Sequence, residues 1–258
     1  MRRIGLSLAA LIAASVLSAC GGSSSGGDDT SSSGNTQPAS TAAAGDFDKT
    51  AATSTANAAR LTLDDLPEGW TAEPSDASDA DDDAVNGQLA SCLGVDASFF
   101  AKSGPDKVEV RSDDFSSPND GATGNVSESV NVETADRMAS DFSVINSPKL
   151  AGCLETVYGA FLKQKFAEDP QTKDAKVGNV TATRSDIPSY GDESTGIEIR
   201  VPFSIGTTNA EVDLDMIFIR VGNLGAQLLF ENTFKPFDTA TAASITGKAA
   251  AKLSQAAS

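Results

Sequence analysis

Residues 197–230 read IEIRVPFSIGTTNAEVDLDMIFIRVGNLGAQLLF, and this stretch decides the fold. In its first part every second residue is apolar, while the residues between are polar or proline. The apolar positions are Ile197, Ile199, Val201, Phe203 and Ile205. Such alternation indicates a strand with one buried and one wet face, which is typical of antiparallel sheets. Because Pro202 has no N–H to donate, we expect an edge position or a bulge there.

Two more strands follow in the same stretch. The apolar positions continue at Val212, Leu214, Met216 and Phe218, and return at Leu224, Ala226, Leu228 and Phe230. Gly222-Asn223 between them is a good two-residue hairpin turn. The run 216–219 is apolar on both faces, so it either faces a cavity or belongs to a central strand. The stretch therefore predicts three consecutive antiparallel strands.

The preceding and following segments alternate between strand and helix patterns. Valines at 108 and 110 and at 126, 130 and 132 predict two further strands. Helical spacing predicts helices over 83–93, after Thr134, after Ser147-Pro148 and after Asp238. Strand hairpins with separate helices indicate an α+β class: one domain, residues 61–258, in which an antiparallel sheet packs with helices.

The N-terminal segment predicts export and lipid attachment. Arg2-Arg3 precedes a short apolar run, and Leu17-Ser18-Ala19-Cys20 matches the bacterial lipobox. We expect residues 1–19 to be a lipoprotein signal peptide and Cys20 to carry fatty acyl chains such as palmitate. The alternatives are an ordinary signal peptide with a chance cysteine, and export by the twin-arginine rather than the general secretory route.

Residues 20–60 after the lipobox consist mainly of Gly, Ser, Thr and Ala. Such a composition cannot bury enough apolar surface to offset its ordering entropy, so we expect a disordered linker. The expected location is the extracytoplasmic face of the cell membrane, with the lipid as the membrane contact.

The charge balance excludes one class of partner. The chain has 19 basic and 36 acidic residues, a net charge of −17. Such a protein repels nucleic acid, so we expect no nucleic-acid partner. Residues 61–90 contain nine acids and no base, but their spacing fails the EF-hand pattern. A solvated acidic loop is therefore favoured over a weak cation site, and we expect neither a metal nor another cofactor.

The cysteines predict one disulfide. With Cys20 assigned to lipid, Cys92 and Cys153 remain in an oxidising compartment. Both lie on apolar stripes of predicted helices, so a structural bridge between two helices is expected. A redox pair is the alternative, which the absence of C-x-x-C disfavours.

No catalytic pattern is found in the chain. It contains no histidine, which excludes Ser-His-Asp and Cys-His catalysis and removes the commonest zinc ligand. It also contains no S-x-x-K motif. We therefore predict a protein that is not an enzyme.

Six short motifs together resemble a known group of proteins. They are LTLDDLPEGW (61–70), SCLGV (91–95), VNVETADRMASDF (130–142), LAGCL (150–154), GDES (191–194) and RVGNLGAQLLF (220–230). The set resembles actinobacterial cell-surface lipoproteins, which are similar to the extracellular sensor domain of mycobacterial receptor Ser/Thr kinases of the PknH type. The resemblance implies an antiparallel sheet packed with helices and a cleft for an unidentified ligand. Because no kinase or transmembrane segment follows, we expect any output to need a separate partner.

Two functions remain open from the sequence. The first is a non-catalytic binding or sensor-like module for a small molecule, an envelope component or a protein partner. The second is a carrier of lipid or another apolar envelope molecule. We expect the helices to fill one sheet face and close the core, with any ligand in a surface cleft formed by Trp70, Asp192 and Glu193. Each of these residues also has a structural interpretation: Trp70 would anchor the chain entry, and the two acids would cap a turn.

Overall fold

The computed structural model describes residues 47–75, 79–100, 104–117, 124–168, 172, 174–233 and 235–258. The predicted signal peptide, Cys20 and the linker up to residue 46 lie outside the described residues. Five helices and one antiparallel sheet are found in the described part, which confirms the predicted α+β class.

Nine strands form the sheet in the described part of the chain. They are β1 (Thr71–Glu73), β2 (Lys107–Arg111), β3 (Asp114–Ser116), β4 (Asn125–Glu133), β5 (Ala175–Val177), β6 (Thr181–Ser185), β7 (Glu193–Ile205), β8 (Thr208–Val221) and β9 (Leu224–Thr233). The order across the sheet is β1-β3-β4-β9-β8-β7-β5. Strand β2 also pairs with β4, and β6 also pairs with β7. The predicted hairpins β7–β8 and β8–β9 form the centre of this sheet.

Pro202 lies where the outer neighbour of β7 is interrupted. Strand β5 pairs with β7 up to Phe203, and β6 pairs with it from Arg200. Between the two ladders, Gly178 N donates to Pro202 O at 2.7 Å. The missing N–H of Pro202 therefore removes no hydrogen bond of a regular strand pair. At this position β7 has no partner strand on its outer side, in agreement with the predicted edge position.

Five helices cover both faces of the sheet. They are α1 (Lys49–Ala59), α2 (Asp79–Leu93), α3 (Ala135–Ile145), α4 (Lys149–Glu168) and α5 (Thr239–Ala256). One apolar core forms between α2, α3, α4 and the face that carries Ile199 and Leu214. A second core forms between α1, α5 and the opposite face, which carries Val130 and Phe230. The sheet is thus the middle layer of three.

The predicted linker boundary at residue 60 is wrong. Residues 49–59 form helix α1. One face of this helix carries Ala52, Ala56 and Ala59 and is buried against the second core. Asp48 caps this helix by accepting from Thr50 N at 2.9 Å and Ala51 N at 3.0 Å. Small alanines pack closely here, because Ala56 and Ala59 are fully buried. The folded domain therefore begins before Leu61.

The predicted disulfide is confirmed. Cys92 at the end of α2 is bonded to Cys153 in α4, with a Cα–Cα distance of 5.7 Å across 61 positions of sequence. Cys153 is buried while Cys92 is exposed, so the bridge lies at the edge of the first core. It joins two of the three helices that cover one side of the sheet.

Candidate ligand-binding cavity

An interior cavity lies between the sheet and helices α2, α3 and α4. Its volume is about 80 Å³. Most of its wall is apolar and includes Leu89, Leu93, Met138, Phe142, Leu154, Met216 and Phe218. One end is polar, because Lys107, Asn131, Glu133, Asp141 and Gln227 also line it.

The polar end arises from the pairing register of β2 with β4. Lys107 is paired with Glu133 and Glu109 with Asn131, so these alternate side chains share one sheet face. The other face of β4 carries Val130 and Val132, which fill the second core. The strand therefore directs these polar side chains toward the helices that cover this face, where Glu133 is buried and Asn131 is half-buried.

A buried ion pair forms the floor of the cavity. Lys107 Nζ lies 3.2 Å from Glu133 Oε1, and both side chains are at most 5% exposed. Burial of two charges is costly unless they are paired and hydrogen-bonded. The pair therefore neutralises the strand side of the polar end.

A second ion pair comes from helix α3. Arg137 Nε donates to Asp141 Oδ1 at 3.0 Å, one helical turn away. Burial, together with the nearby Glu133 carboxylate, raises the pKa of Asp141 to about 6, although Arg137 opposes the shift. The polar end thus brings two carboxylates close together, each with its own cation.

Two acceptors at the polar end have no partner in the described part of the chain. They are Glu133 Oε2 and Asn131 Oδ1, and both atoms are buried. Buried polar atoms in proteins are nearly always hydrogen-bonded, so each exception calls for an explanation. A bound hydrogen-bond donor would satisfy both.

The mouth is formed by half-buried apolar side chains. Phe99 and Phe100 contact each other edge to face, with centroids 4.7 Å apart, and Val144 and Ile145 also line the cavity. Arg137 Nη2 donates to Ser98 O at 3.0 Å and so fixes the segment before the two phenylalanines to α3. One arginine therefore holds both the polar end and one side of the mouth.

Gly225 on β9 leaves room for the Met138 side chain to pack against the strand. A Cβ atom on Gly225 would lie 3.1 Å from both Sδ and Cε of Met138. Any larger residue would therefore push the Met138 side chain away from the strand and change the shape of the cavity.

The structure places Trp70 on a separate surface groove. This groove has a volume of about 420 Å³ and is also lined by Phe237, Asn232 and Lys235. Trp70 is half-buried and packs against Phe237 with ring centroids 6.3 Å apart. Trp70 therefore anchors the chain entry onto the second core, and it also borders an open groove.

Asp192 and Glu193 do not join Trp70. Asp192 Oδ2 accepts from Gly222 N at 2.7 Å, and Glu193 Oε2 lies 3.1 Å from Arg220 Nε. Both acids therefore brace the turn that precedes β9. The Trp70 groove includes Asn232 at the other end of that strand. Ten strand residues span roughly 30 Å, so the predicted cleft shared by Trp70, Asp192 and Glu193 is wrong.

Sequence reasoning missed the polar end of the cavity. The signal was present in NVSESVNVE, where polar residues alternate with valines over 125–133. That pattern predicts a wet face, and only the placement of α2 and α3 shows that the face is covered. Neither a group of three or more metal-ligating side chains nor a helix long and apolar enough to cross a membrane is found among the described residues.

Fold and cavity together define an α+β domain with a partly open site between the sheet and three helices. No protein-family model matches the chain, and no curated protein matches it. Among solved structures, the chain is similar to LpqN, which is involved in cell envelope biogenesis of Mycobacterium tuberculosis. The identity is 11%, the TM-score 0.27, and the match covers 74% of this chain and 78% of that one. A likeness this distant transfers no function, and the resemblance to the PknH-type sensor domain stays a prediction.

Proposed function

We propose that this protein is a lipid-anchored extracytoplasmic binding module that takes a small molecule into the cavity beneath α3. The observation that carries the proposal is the cavity itself: an apolar pocket that ends in buried charges and unpartnered acceptors. Small-molecule sites in proteins are typically apolar pockets with a few placed polar groups.

The proposed location rests on the N-terminal sequence. The lipobox ending at Cys20 and the Gly/Ser-rich residues after it would attach the domain to the outer face of the membrane through acyl chains. A sensor-like role would then require a separate partner, because the proposed module binds and does not catalyse.

The cavity size disfavours the carrier alternative. A cavity of about 80 Å³ is roughly half the size of an engineered apolar cavity of about 150 Å³ that binds benzene. A membrane acyl chain is much larger than benzene. A carrier would therefore require α3 to move away from the sheet, whereas a small ligand fits the observed arrangement.

The test is native mass spectrometry of the protein purified from its own envelope. We expect a small molecule to co-purify with the wild type and to be retained less by Gly225→Ala, in which the tip of Met138 must shift by a few tenths of an ångström. Gly247→Ala on α5 is the matched control, because a Cβ there meets nothing within 4 Å. Absence of a bound mass from the wild type, or equal retention by Gly225→Ala, would contradict the proposal.

A further inference from the structure

We infer that the ligand of this cavity presents a primary ammonium group to Glu133 and Asn131 and fills the rest of the cavity with a short apolar stem. This inference rests on the proposed function and adds the chemical class of the ligand. It assigns the buried acceptors to a donor on the ligand, because none of the described residues donates to them.

The number of acceptors favours an ammonium group. Lys107 occupies only Oε1 of Glu133, which leaves Oε2 unpartnered in the described part of the chain. Asn131 lies two residues earlier on the same strand face, and its Oδ1 is also unpartnered. An ammonium carries three N–H donors, whereas a hydroxyl carries one. An ammonium group therefore has enough donors for both atoms, whereas a hydroxyl does not.

The kind of unpartnered atom favours a cation over an anion. Lys107 pairs with Glu133 and Arg137 pairs with Asp141, so the two ion pairs leave no excess charge at the polar end. Both unpartnered atoms are acceptors, and an ionised carboxylate or phosphate ligand has no hydrogen to donate to either of them. Such a ligand would also bring its charge close to the Glu133 carboxylate in a region of low dielectric, where repulsion is strong. An ammonium ligand would instead be attracted to that carboxylate and donate to it.

The apolar part of the cavity lining determines the chemistry of the ligand beyond its ammonium group. Phe142, Met216 and Phe218 belong to the apolar part of the lining, as do the half-buried residues at the mouth. Lys107 and Glu133 are almost fully buried, so they mark the deep end. An amine would therefore enter with its ammonium group first and leave its stem between the sheet and α3. The volume of about 80 Å³ is about half that of an engineered cavity that holds the six carbons of benzene. The cavity therefore encloses the ammonium group with roughly two carbons, and the far end of a four-carbon stem lies at the mouth.

Two methionines provide a direct readout of this cavity. The chain has three methionines, and Met138 and Met216 both line the cavity while Met1 lies in the predicted signal peptide. Methyl-¹³C methionine labelling of the full-length protein in detergent micelles therefore reports on the site with very few signals. The probes are n-butylammonium, 1-butanol and butanoate, which share the same stem and differ in the head group.

We expect n-butylammonium to shift both cavity methyl signals in a saturable manner and to bind at least about tenfold more tightly than 1-butanol, because charge-assisted hydrogen bonds are the stronger ones. Butanoate should not bind. If 1-butanol or butanoate bound as tightly as n-butylammonium, the ammonium assignment would be overturned while the binding function stood. If none of the three moved either methyl signal, both would fail.

Substitutions locate the head group. Glu133→Gln should weaken n-butylammonium binding at least about tenfold and reduce its advantage over 1-butanol. Because this change leaves Lys107 without its carboxylate, Asn131→Ala serves as a second variant, and exposed Asn57→Ala on α1 is its control. Unchanged binding by Asn131→Ala and by folded Glu133→Gln would overturn the assignment.

A last probe separates a free amine from a lipid head group. O-phosphoethanolamine has the ammonium but carries a phosphate where the apolar stem should lie. We expect it to leave the Met138 and Met216 signals unchanged. Binding as tight as that of n-butylammonium would overturn the apolar stem and indicate a head group as the ligand.

Discussion

At the scale of single residues, buried carboxyl groups are the unusual feature of this protein. Glu231 on β9 is 2% exposed, and neither of its carboxyl oxygens has a hydrogen-bond partner in the described part of the chain. Burial, with a smaller effect from Asp114, raises the pKa of Glu231 to about 8. The neutral acid is therefore the stable form in the folded protein at neutral pH.

Glu231→Gln should stabilise the protein in mild alkali. The amide keeps the shape of the acid but cannot ionise, so the cost of a buried charge disappears. We expect the melting temperature at pH 8 to rise by a few degrees, with little change at pH 4.5. Glu168→Gln on the exposed end of α4 is the control. A lower melting temperature for Glu231→Gln at pH 8 would show that the ionised carboxylate is stabilised in the folded state.

Sequence reasoning at this scale succeeded where chemistry limits the choices. Two cysteines remain after the lipobox, and they can pair in only one way, so Cys92–Cys153 followed from counting. Glu133 and Asn131 gave no such signal, because a charged residue on an alternating strand ordinarily faces water. Their burial depends on how α2 and α3 fold back over this face of β4, which is a tertiary effect that alternation along the strand does not record.

At the scale of elements, the disulfide holds α2 against α4. The double variant Cys92→Ala, Cys153→Ala should lower the free energy of unfolding by about 2–5 kcal/mol, the usual range for a lost native disulfide. Denaturant unfolding measures this, with Ser91→Ala on the exposed side of α2 as control. A double variant as stable as the wild type would mean that the packing of the two helices is sufficient without the bridge.

The sequence predicted the central strands but not helix α1, and the reason lies in how each element is stabilised. The hairpins β7–β8–β9 are defined by local alternation and by turn residues that any reader of the sequence sees. Helix α1 has only alanine, threonine, serine and asparagine between its ends, which is also the composition of a linker. Its stability comes from docking of its alanine side onto α5 and β4, which is a tertiary effect.

A charge on the docked side of α1 should undock it. Ala56 is fully buried, whereas Ala58 on the same helix is exposed. Ala56→Glu should reduce the free energy of unfolding by at least about 2 kcal/mol, because it buries an unpaired carboxylate or detaches the helix. Ala58→Glu keeps the same helix propensity change and should have a small effect. Equal denaturation midpoints for the two variants would contradict the docking of α1.

At the scale of the whole molecule, the proposed anchor is a single cysteine. Cys20→Ala should abolish acylation and cleavage at the lipobox, so the variant should leave the detergent phase of a Triton X-114 partition, whereas the wild type should enter it. Ser25→Ala in the adjoining segment is the control. A Cys20→Ala variant that stayed fully membrane-associated with unchanged gel mobility would show that the lipoprotein prediction is wrong.

The fold class and the cavity differ in how far a sequence determines them. An α+β fold follows from local patterns that add up along the chain. The cavity depends on three helices and four strands meeting around a gap, and Gly225, which faces Met138, shows how one missing side chain shapes it. Small differences in volume at distant positions decide whether such a gap remains, and no local pattern records them.

The domain should be more stable in mild acid than at neutral pH. Burial raises the pKa of Asp141 and Asp215 to about 6, of Glu128 to about 7 and of Glu231 to about 8. Each folded-state pKa exceeds the ordinary value, so the folded protein binds more protons than the unfolded chain between about pH 4 and pH 8. The stabilising contribution of these four carboxyl groups is therefore fully present below their ordinary pKa values. It is lost as the pH rises through their pKa values in the folded protein. The net charge of −17 acts in the same direction, because protonation reduces self-repulsion.

Melting temperatures measured from pH 4.5 to pH 8.5 at constant ionic strength test this. We expect a continuous decrease across the range, in contrast to proteins whose paired carboxylates make them less stable in acid. Glu231→Gln should remove part of the decrease above pH 7, because Glu231 has the highest of these four pKa values. Glu128→Gln should act at slightly lower pH, where it also keeps an acceptor for the N–H of Leu61. A melting temperature that rose from pH 5 to pH 8 would mean that these carboxyl groups are ionised and stabilised by partners in the folded protein.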